Sequence, residues 1–584
     1  MAYVLSFKPA IGLYGQHDPS AALFVDGDLR FAVEEERLTR EKHATDTFPE
    51  QAIRACLESE GIELADLEKI VLPYDPQLRT KILGHYLGNS VHRDSTLRTV
   101  SHLFNVTKDQ FVSRYLPTQQ VESRLKRIGT PLPSIERRSH HACHAVSAFH
   151  PSTFEEALVL TVDAKGEYDS TVVWHATTDG LSRLRTYDHP NSWGLFYAAV
   201  TEYLGYRMFN GEGKVMGLAP YGEDDPEIER LLRDKIETGV DYDVTALTGR
   251  WGTEYGVRTL EELFDRPRST TTDEFDQFEK NLAHTAQKLL EESITAIVEK
   301  YIEYVETGNV GLAGGVVLNC KLNKAIRERP SVDDLFVQPV AHDAGLALGG
   351  GWIDQRPDQV EPMTNVYLGP EYDTDEIRSL LETNKVDYSE PKDLERTVAE
   401  LLADGALVGW FQGRLEMGPR ALGNRSILAD PRTVESRDRV NRFVKHREGW
   451  RPFAPSMLES AADEYLENAT ESPYMINTFD VAPAHCDDVT AVLHPADNTT
   501  RPQTVRRDQN PRYYRLLREF EDITDVPVVL NTSFNDHGEP IVNTPVEALK
   551  DFYGMGLDAL VLEDLLVTKR DSISVDTERR PNRE

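Results

Sequence analysis

A chain of 584 residues, 40% of them hydrophobic, is long enough for more than one folded core, with roughly two to four domains the usual expectation. Its formal net charge of −34 repels phosphate backbones and anionic lipid, which excludes nucleic acid and membrane surfaces as favoured partners. Cys56, Cys143, Cys320 and Cys486 stand far apart with no CxxC pair, so neither a disulfide framework nor a thiolate zinc site is expected.

Arg greatly outnumbers Lys, and no Lys occurs between His446 and Leu549. Acid-rich, Lys-poor composition spread over the whole chain predicts a halophilic protein, because high salt screens its self-repulsion. Met1 is followed by a short β-like run, not by a basic stretch and an apolar leader. No window approaches 18 consecutive apolar residues. A soluble, cytoplasmic protein is expected.

In chain order, Tyr3–Lys8 is a short apolar strand. Ala21–Val25 and Leu29–Glu34 flank Asp26-Gly27-Asp28, whose Asp-Gly pair signals a hairpin. Pro49–Gly61 has a helical pattern, Lys69–Tyr74 reads as a strand, and Ile82–Gln119 is mixed and taken as helical. Ser139–His150 lacks Gly and Pro and predicts a half-buried helix. Glu156–Asp163 is a continuous apolar strand ending on a carboxylate. A second hairpin, Ser170–Ala176 and Leu181–Tyr187, turns at Thr178-Asp179-Gly180. Two hairpins, each opening a run of alternating strands and helices, suggest an internal duplication.

Phe275–Glu306 is the longest helical pattern and leads into Asn309–Asn319, a strand with a glycine turn. Phe336–Gly350 reads as a strand, a polar turn at His342-Asp343 and a small-residue helix packed closely on a neighbour. A first domain is expected over 1–355, a connection over 356–393 and a second α/β domain over 394–575. In the latter, Val398–Asp404 and Thr433–Val444 are helical, and Ala406–Phe411 is a strand. Pro483–Gln509 is expected as a long loop over a site, before a helix at Tyr513–Thr524 and a strand at Pro527–Asn531. Ser572–Glu584 is expected to fray.

Several residues carry chemistry. His140 and His144, four apart, share one helix face within reach of a single metal ion. By spacing alone, such a pair is more often a surface or core feature than a ligand set. Asp163 and Asp343 follow apolar strands, where α/β sheets bind ligands; with the two histidines they make a mixed N/O set that suits a divalent first-row metal. An N-cap role is the plain alternative for either aspartate. Gly314-Gly315, ending at Asn319, lets a ligand approach the backbone, or only ends a strand. Gly211–Gly222 is too irregular for a P-loop; it orders a loop around an anion or turns a corner. His17, in a turn, is either a general base or an exposed histidine. Glu34-Glu35-Glu36-Arg37 with Arg40-Glu41-Lys42-His43 is dense in charge and expected as a solvated face. Arg414, Arg420 and Arg425 among glycines, with Lys445, Arg447 and Arg451, favour an oxyanion site over structural ion pairs.

These stretches together resemble the O-carbamoyltransferases that modify nodulation factors, cephamycin and aminoglycosides such as tobramycin. The resemblance rests on HDPSAALFVDGDLRFAVEEERLTREKH, HHACHAVSAFH, GEGKVMGLAPYG, HDAGLALGG, GRLEMGPRALGNRSILADPR, VNRFVKHREGWRPFAPSM, RPQTVRRDQNPRYY and VLNTSFNDHGEPIV, which span nearly the whole chain. It implies an α/β protein: an N-terminal actin/Hsp70-like ATPase fold, duplicated and akin to the tRNA threonylcarbamoyl transferase, and a C-terminal domain like threonylcarbamoyl-adenylate synthase. It also implies that ATP, with Mg2+, and carbamoyl phosphate form carbamoyl-adenylate in the C-terminal domain. A hydroxyl of a small-molecule acceptor, a sugar or glycosylated metabolite, then attacks the carbamoyl carbon. By the same resemblance, His140, His144 and Asp343, with Asp163, hold an iron-type divalent metal (Fe2+), and His17 takes the hydroxyl proton. Lys42 contacts the carbamoyl-adenylate; Gly314, Gly315 and Asn319 are expected to bind nucleotide or carbamoyl from the glycine-turn pattern itself, not from the resemblance. Arg420, Lys445, Arg501 and Ser533 surround ATP and carbamoyl phosphate. The chain departs from the family pattern at Asp163-Ala164-Lys165-Gly166 and at Asp497-Asn498-Thr499-Thr500. A homodimer is compatible with this reading. A tRNA-modifying enzyme of the same fold and an actin-fold sugar kinase are the alternatives; the charge of −34 opposes the first, and a kinase needs nothing beyond Glu390.

Overall fold

The computed structural model describes residues 1–11, 14–75, 117–248, 253–272, 274–354, 362–447 and 449–569. The chain divides into two compact units, residues 1–39 with 43–363, and residues 40–42 with 364–584.

In the first unit, strands β1 (Tyr3–Lys8), β2 (Ser20–Val25), β3 (Asp28–Glu34), β4 (Lys69–Leu72) and β5 (Ser134–Arg137) form a sheet in the order β3-β2-β1-β4-β5. The hairpin strands pair antiparallel, and β1, β4 and β5 run parallel. Strands β6 (Glu156–Val162), β7 (Asp169–Thr177), β8 (Gly180–Asp188), β9 (Asn309–Ala313) and β10 (Asp334–Val337) repeat this arrangement, in the order β10-β9-β6-β7-β8. Again the first strand pairs antiparallel with its hairpin and parallel with the strand on its other side. The expected duplication is therefore present in the hydrogen-bond topology, and the unit has a duplicated α/β architecture. The first hairpin closes because Asp26 (φ 50°) and Gly27 (φ 98°) both take left-handed backbone, as a tight hairpin turn requires.

The helix Gln277–Val305 starts at a reciprocal capping box between Asp276 and Glu279 and ends where Glu306 turns left-handed. Gly211–Gly222, expected as a loop, instead forms the helix Glu212–Leu218 followed by a 3-10 turn. The charged stretch after β3 is not a solvated face: Glu34, Glu35, Glu36 and Arg37 are all buried. Arg37 pairs with Glu34 at 2.9 Å and with Glu36 at 2.7 Å. Glu35 accepts from the backbone amides of Ala52 and Gln51 at the start of the helix Glu50–Ser59. Mutual neutralisation and helix capping permit that burial. The expected helix over 82–119 lies outside the described residues up to residue 116; the helix Pro117–Ile128 covers its end.

The second unit is built on a seven-stranded mixed sheet in the order β16-β13-β17-β12-β11-β18-β19. Its strands are β11 (Val408–Phe411), β12 (Arg425–Ala429), β13 (Ala454–Leu458), β16 (Gln503–Val505), β17 (Val528–Ser533), β18 (Ala559–Leu562) and β19 (Leu565–Thr568); β14 (Phe479–Asp480) and β15 (Thr499–Thr500) pair separately. Residues 364–393 belong to this unit, and the helix Thr374–Thr383 places Ile377 and Leu381 in its core. Pro483–Gln509 is not an open loop. It supplies β15, β16 and the core residues Val489, Ala491, Val492 and Val505, so its apolar residues outweigh its polar composition. The segment 572–584 lies outside the described residues. Among the described residues no helix is long and apolar enough to cross a membrane.

Candidate functional site

The helix His140–Phe149 starts at Ser139, whose side chain makes no cap. The Oε1 of buried Glu167 accepts from the His140 amide instead, at 2.9 Å. On the far side lies the helix Leu346–Trp352. A Cβ at Gly349 would stand 1.9 Å from the carbonyl oxygen of Cys143, so only glycine permits this approach. That contact explains the small-residue pattern and fixes the histidine helix against its neighbour.

His140 and His144 project from one face, with ring centroids 4.7 Å apart. Asp163, just past β6, places Oδ2 at 3.3 Å from both His140 Nε2 and His144 Nε2. Asp343, in the turn before Leu346–Trp352, places Oδ1 at 3.9 Å from His140 Nε2. It is not the N-cap; His342 is. One ligand atom from each of the four residues lies within 4.8 Å of all the others. Burial opposes charge on His140, but its bond to Asp163 and the charges of Asp343 and Asp163 lift its pKa to about 9. Against the same burial, the two histidines hold the Asp163 carboxyl well below the usual range. Burial pushes His144 down.

The site fits a divalent cation. Both ring nitrogens of His144 and Nδ1 of His140 are buried with no hydrogen-bond partner, and His144 Nε2 faces Asp163 without hydrogen-bond alignment. Imidazole lone pairs converging with two carboxylates make a donor set for a first-row metal. His141 stands apart, with Nδ1 at 2.9 Å from Thr161 Oγ1 and Nε2 at 2.9 Å from the Asp169 carbonyl oxygen.

Beside this set, Lys8 is buried and pairs with Asp343 Oδ2 at 2.9 Å; it also donates to the His17 carbonyl oxygen. His17 directs Nδ1 to Asp18 Oδ2 at 2.8 Å, and its side chain is 36% exposed. Burial lowers its pKa, but the Asp18 bond overcomes this and the net shift is upward. Gly314 has φ 96°, and a Cβ there would meet the Val162 carbonyl oxygen at 2.3 Å; a Cβ at Gly315 would lie 3.5 Å from Asp163 Oδ1. The glycine turn thus abuts the four-residue set. Asn319 caps the helix Cys320–Arg327 and exchanges hydrogen bonds with Gln287.

In the second unit, buried Lys445 donates to the Ser533 carbonyl oxygen (2.6 Å) and Oγ (3.2 Å), and to Asn535 Oδ1 (2.9 Å) and carbonyl oxygen (3.1 Å). Burial, and then the charges of Arg447, Lys42 and Arg451, hold its pKa well below the ordinary lysine value. Lys42 sits in this unit, next to Arg40, which donates to the carbonyl oxygens of Ile541 and Pro540 at 2.6 and 2.8 Å. Lys42, Lys445 and Ser533 are thereby brought together. Arg420 lies between β11 and β12, and Arg501 between β15 and β16. Two members of the expected oxyanion cluster serve the backbone instead. Arg414 donates to the carbonyl oxygens of Gly369 and Leu368. Arg425 is fully buried on the ring of Phe411 and donates to the carbonyl oxygens of Gln412, Asn424 and Gly413.

Residues 10–351 match the family model described as carbamoyltransferase N-terminus, and residues 399–569 match carbamoyltransferase C-terminus. The chain belongs to the carbamoyltransferase family. It is 36% identical over 573 residues to nodulation protein NolNO of Sinorhizobium fredii, covering 96% of this chain and 80% of that protein. It is 38% identical over 445 residues to nodulation protein NolO of Bradyrhizobium diazoefficiens, covering 74% and 79%. Among solved structures, HypF of T. kodakarensis aligns at 12% identity and TM-score 0.33, over 62% of this chain and 48% of that one. The residues that sequence reasoning missed in this carbamoyltransferase are Lys8, Asp18 and Glu167. A lysine closing an apolar strand is a faint signal for Lys8; nothing local marks the other two.

Proposed function

We propose that this carbamoyltransferase is an ATP-dependent O-carbamoyltransferase acting on a hydroxyl of a small, sugar-containing acceptor. The observation that supports this reading best is the largely buried His140–His144–Asp163–Asp343 set beside a partly exposed, carboxylate-oriented histidine, His17. In the second unit, water cleaves carbamoyl phosphate to carbamate and phosphate; a carbamate oxygen then bonds to the α-phosphorus of ATP as pyrophosphate leaves, giving carbamoyl-adenylate. The cations at Lys42, Lys445, Arg447 and Arg451 offset the polyphosphate charge, with Arg420, Arg501 and Ser533 as further contacts. In the first unit, His17 accepts the acceptor's hydroxyl proton as its oxygen bonds to the carbamoyl carbon and AMP departs. His140, His144, Asp163 and Asp343 hold a divalent metal, proposed as Fe2+, which when bound polarises the carbamoyl carbonyl as a Lewis acid. Gly314 and Gly315 let the nucleotide approach the backbone.

The test is incubation of the full-length chain with ATP, Mg2+ and labelled carbamoyl phosphate, without acceptor. Pyrophosphate release and labelled carbamoyl-adenylate are expected; their absence overturns the reading.

A further inference from the structure

Asp18 has a left-handed backbone, φ 53°, a conformation that aspartate adopts more readily than most non-glycine residues. It turns the carboxylate between two imidazoles. Oδ2 meets His17 Nδ1 at 2.8 Å, and Oδ1 meets His43 Nδ1 at 2.8 Å. The backbones are stapled as well: the Asp18 amide donates to the His43 carbonyl oxygen, and the Asp46 amide to that of Gln16, both at 2.9 Å. His43 is itself left-handed at φ 64°, and its amide donates to Glu36 Oε2 at 2.6 Å.

The two histidines are held alike but face different surroundings. An ionised carboxylate only accepts, so each imidazole turned to Asp18 presents Nδ1–H and keeps Nε2 as its second position. Burial opposes the Asp18 charge, yet the bonds from His17 and His43 hold its carboxyl well below the ordinary range. His43 Nε2 is buried without a hydrogen-bond partner. The His17 ring is partly exposed and stacks on Phe209, with centroids 5.7 Å apart. Asp18, Glu36 and His43 also lie close enough to enclose a cation. Glu36 Oε1 is already paired with Arg37, however, and Oε2 with the His43 amide. The group reads as a hydrogen-bonded support.

We infer that His43 is a positioning residue: by occupying Asp18 Oδ1, it locks the carboxylate so that Oδ2 holds His17 in the Nδ1–H tautomer with Nε2 open to the acceptor. The inference rests on the proposed role of His17. In the transfer step the hydroxyl proton passes to His17 Nε2 while the hydroxyl oxygen bonds to the carbamoyl carbon. The bond from that carbon to the adenylate oxygen breaks, and AMP leaves with the electron pair. No proton moves to Asp18 or His43; their part is to keep the imidazole oriented and to stabilise the imidazolium once formed.

The test uses full-length protein labelled with 15N-histidine, in wild type, His43→Leu and His43→Asn. The asparagine amide reproduces a donor near the place of Nδ1; leucine does not. Long-range 1H–15N spectra are expected to show one His17 tautomer in wild type and His43→Asn, and mixed tautomers in His43→Leu. In carbamoyl transfer, His43→Leu is expected to lower kcat about 10- to 100-fold at unchanged KM for the acceptor, with His43→Asn recovering most of it. An unaltered His17 tautomer in His43→Leu overturns the inference, as does an unaltered kcat. Should His43→Leu fail to fold, His43→Gly, which suits the left-handed backbone at this position and likewise offers no donor, replaces it with the same expectations. If wild type carries out no transfer, the proposed function fails, while the tautomer spectra still decide the role of His43.

Discussion

Lys8 Nζ lies 2.9 Å from Asp343 Oδ2, both side chains largely withdrawn from solvent, at 1% and 15% exposure. A cation from β1 thus holds one oxygen of Asp343, and the other oxygen faces His140 at 3.9 Å. Removing one partner of a buried pair costs roughly 3–5 kcal/mol, because it strands the other charge. Lys8→Met is therefore expected to lower the Tm of the metal-free chain, and divalent metal is expected to restore more of it than it adds to wild type. Thermal melts with and without Mn2+ or Fe2+ check this; equal metal-induced shifts in both proteins would refute it.

Loss of either histidine removes a ligand and leaves Asp163 with one imidazole fewer. His140→Ala and His144→Ala are expected to copurify with far less metal than wild type while retaining carbamoyl-adenylate formation in the second unit. Metal analysis per chain reads the first outcome, and pyrophosphate release the second. Wild-type metal content in both variants would remove these residues from the ligand set.

Gly349→Ala tests how the histidine helix is held. The added methyl would stand 1.9 Å from the Cys143 carbonyl oxygen, so one of two packed helices has to move. Overpacking of this kind costs about 1–3 kcal/mol. Urea denaturation should show that loss, and metal affinity should fall with it, since His140 and His144 move with the helix.

Glu35 gives a pH dependence with a definite sign. Burial lifts its pKa from 4.5 to about 7, with the amide bonds from Ala52 and Gln51 only partly offsetting this. Between pH 4.5 and 7 the folded chain keeps a proton that the unfolded chain has released, so stability falls as pH rises through that window and then levels off. The loss is roughly 3 kcal/mol. Glu35→Gln has no proton to lose. Its unfolding free energy is expected to fall less between pH 5 and pH 8 than that of wild type, as read by urea titrations at both pH values.

Lys445 predicts a proton linkage. Burial and the charges of Arg447, Lys42 and Arg451 weaken its hold on its proton. A bound phosphate opposes those charges and strengthens that hold, so proton uptake should accompany binding of carbamoyl phosphate. Calorimetry in buffers of different ionisation enthalpy reads the uptake, which should vanish in Lys445→Met.

Much of this was legible in the chain itself. Asp26-Gly27 set the first hairpin because both turn positions need left-handed backbone. The four-residue spacing of His140 and His144 put two imidazoles on one helix face, and a continuous apolar run carried Asp163 to a strand end. These are local rules with periods of a few residues. What they leave out is which residues meet from afar. Glu34–Arg37 reads as a solvated face, yet the fold buries it, because charges that neutralise one another and cap a helix need no water. Arg414 and Arg425 read as anion ligands, yet carbonyl oxygens brought close by the sheet take their donors. The duplicated α/β pattern and the histidine pair follow from residue order alone. That Lys8 is the cation at Asp343 and that Asp18 lies between His17 and His43 depends on the folded chain, because those contacts come from separate strands, turns and loops that no sequence period relates.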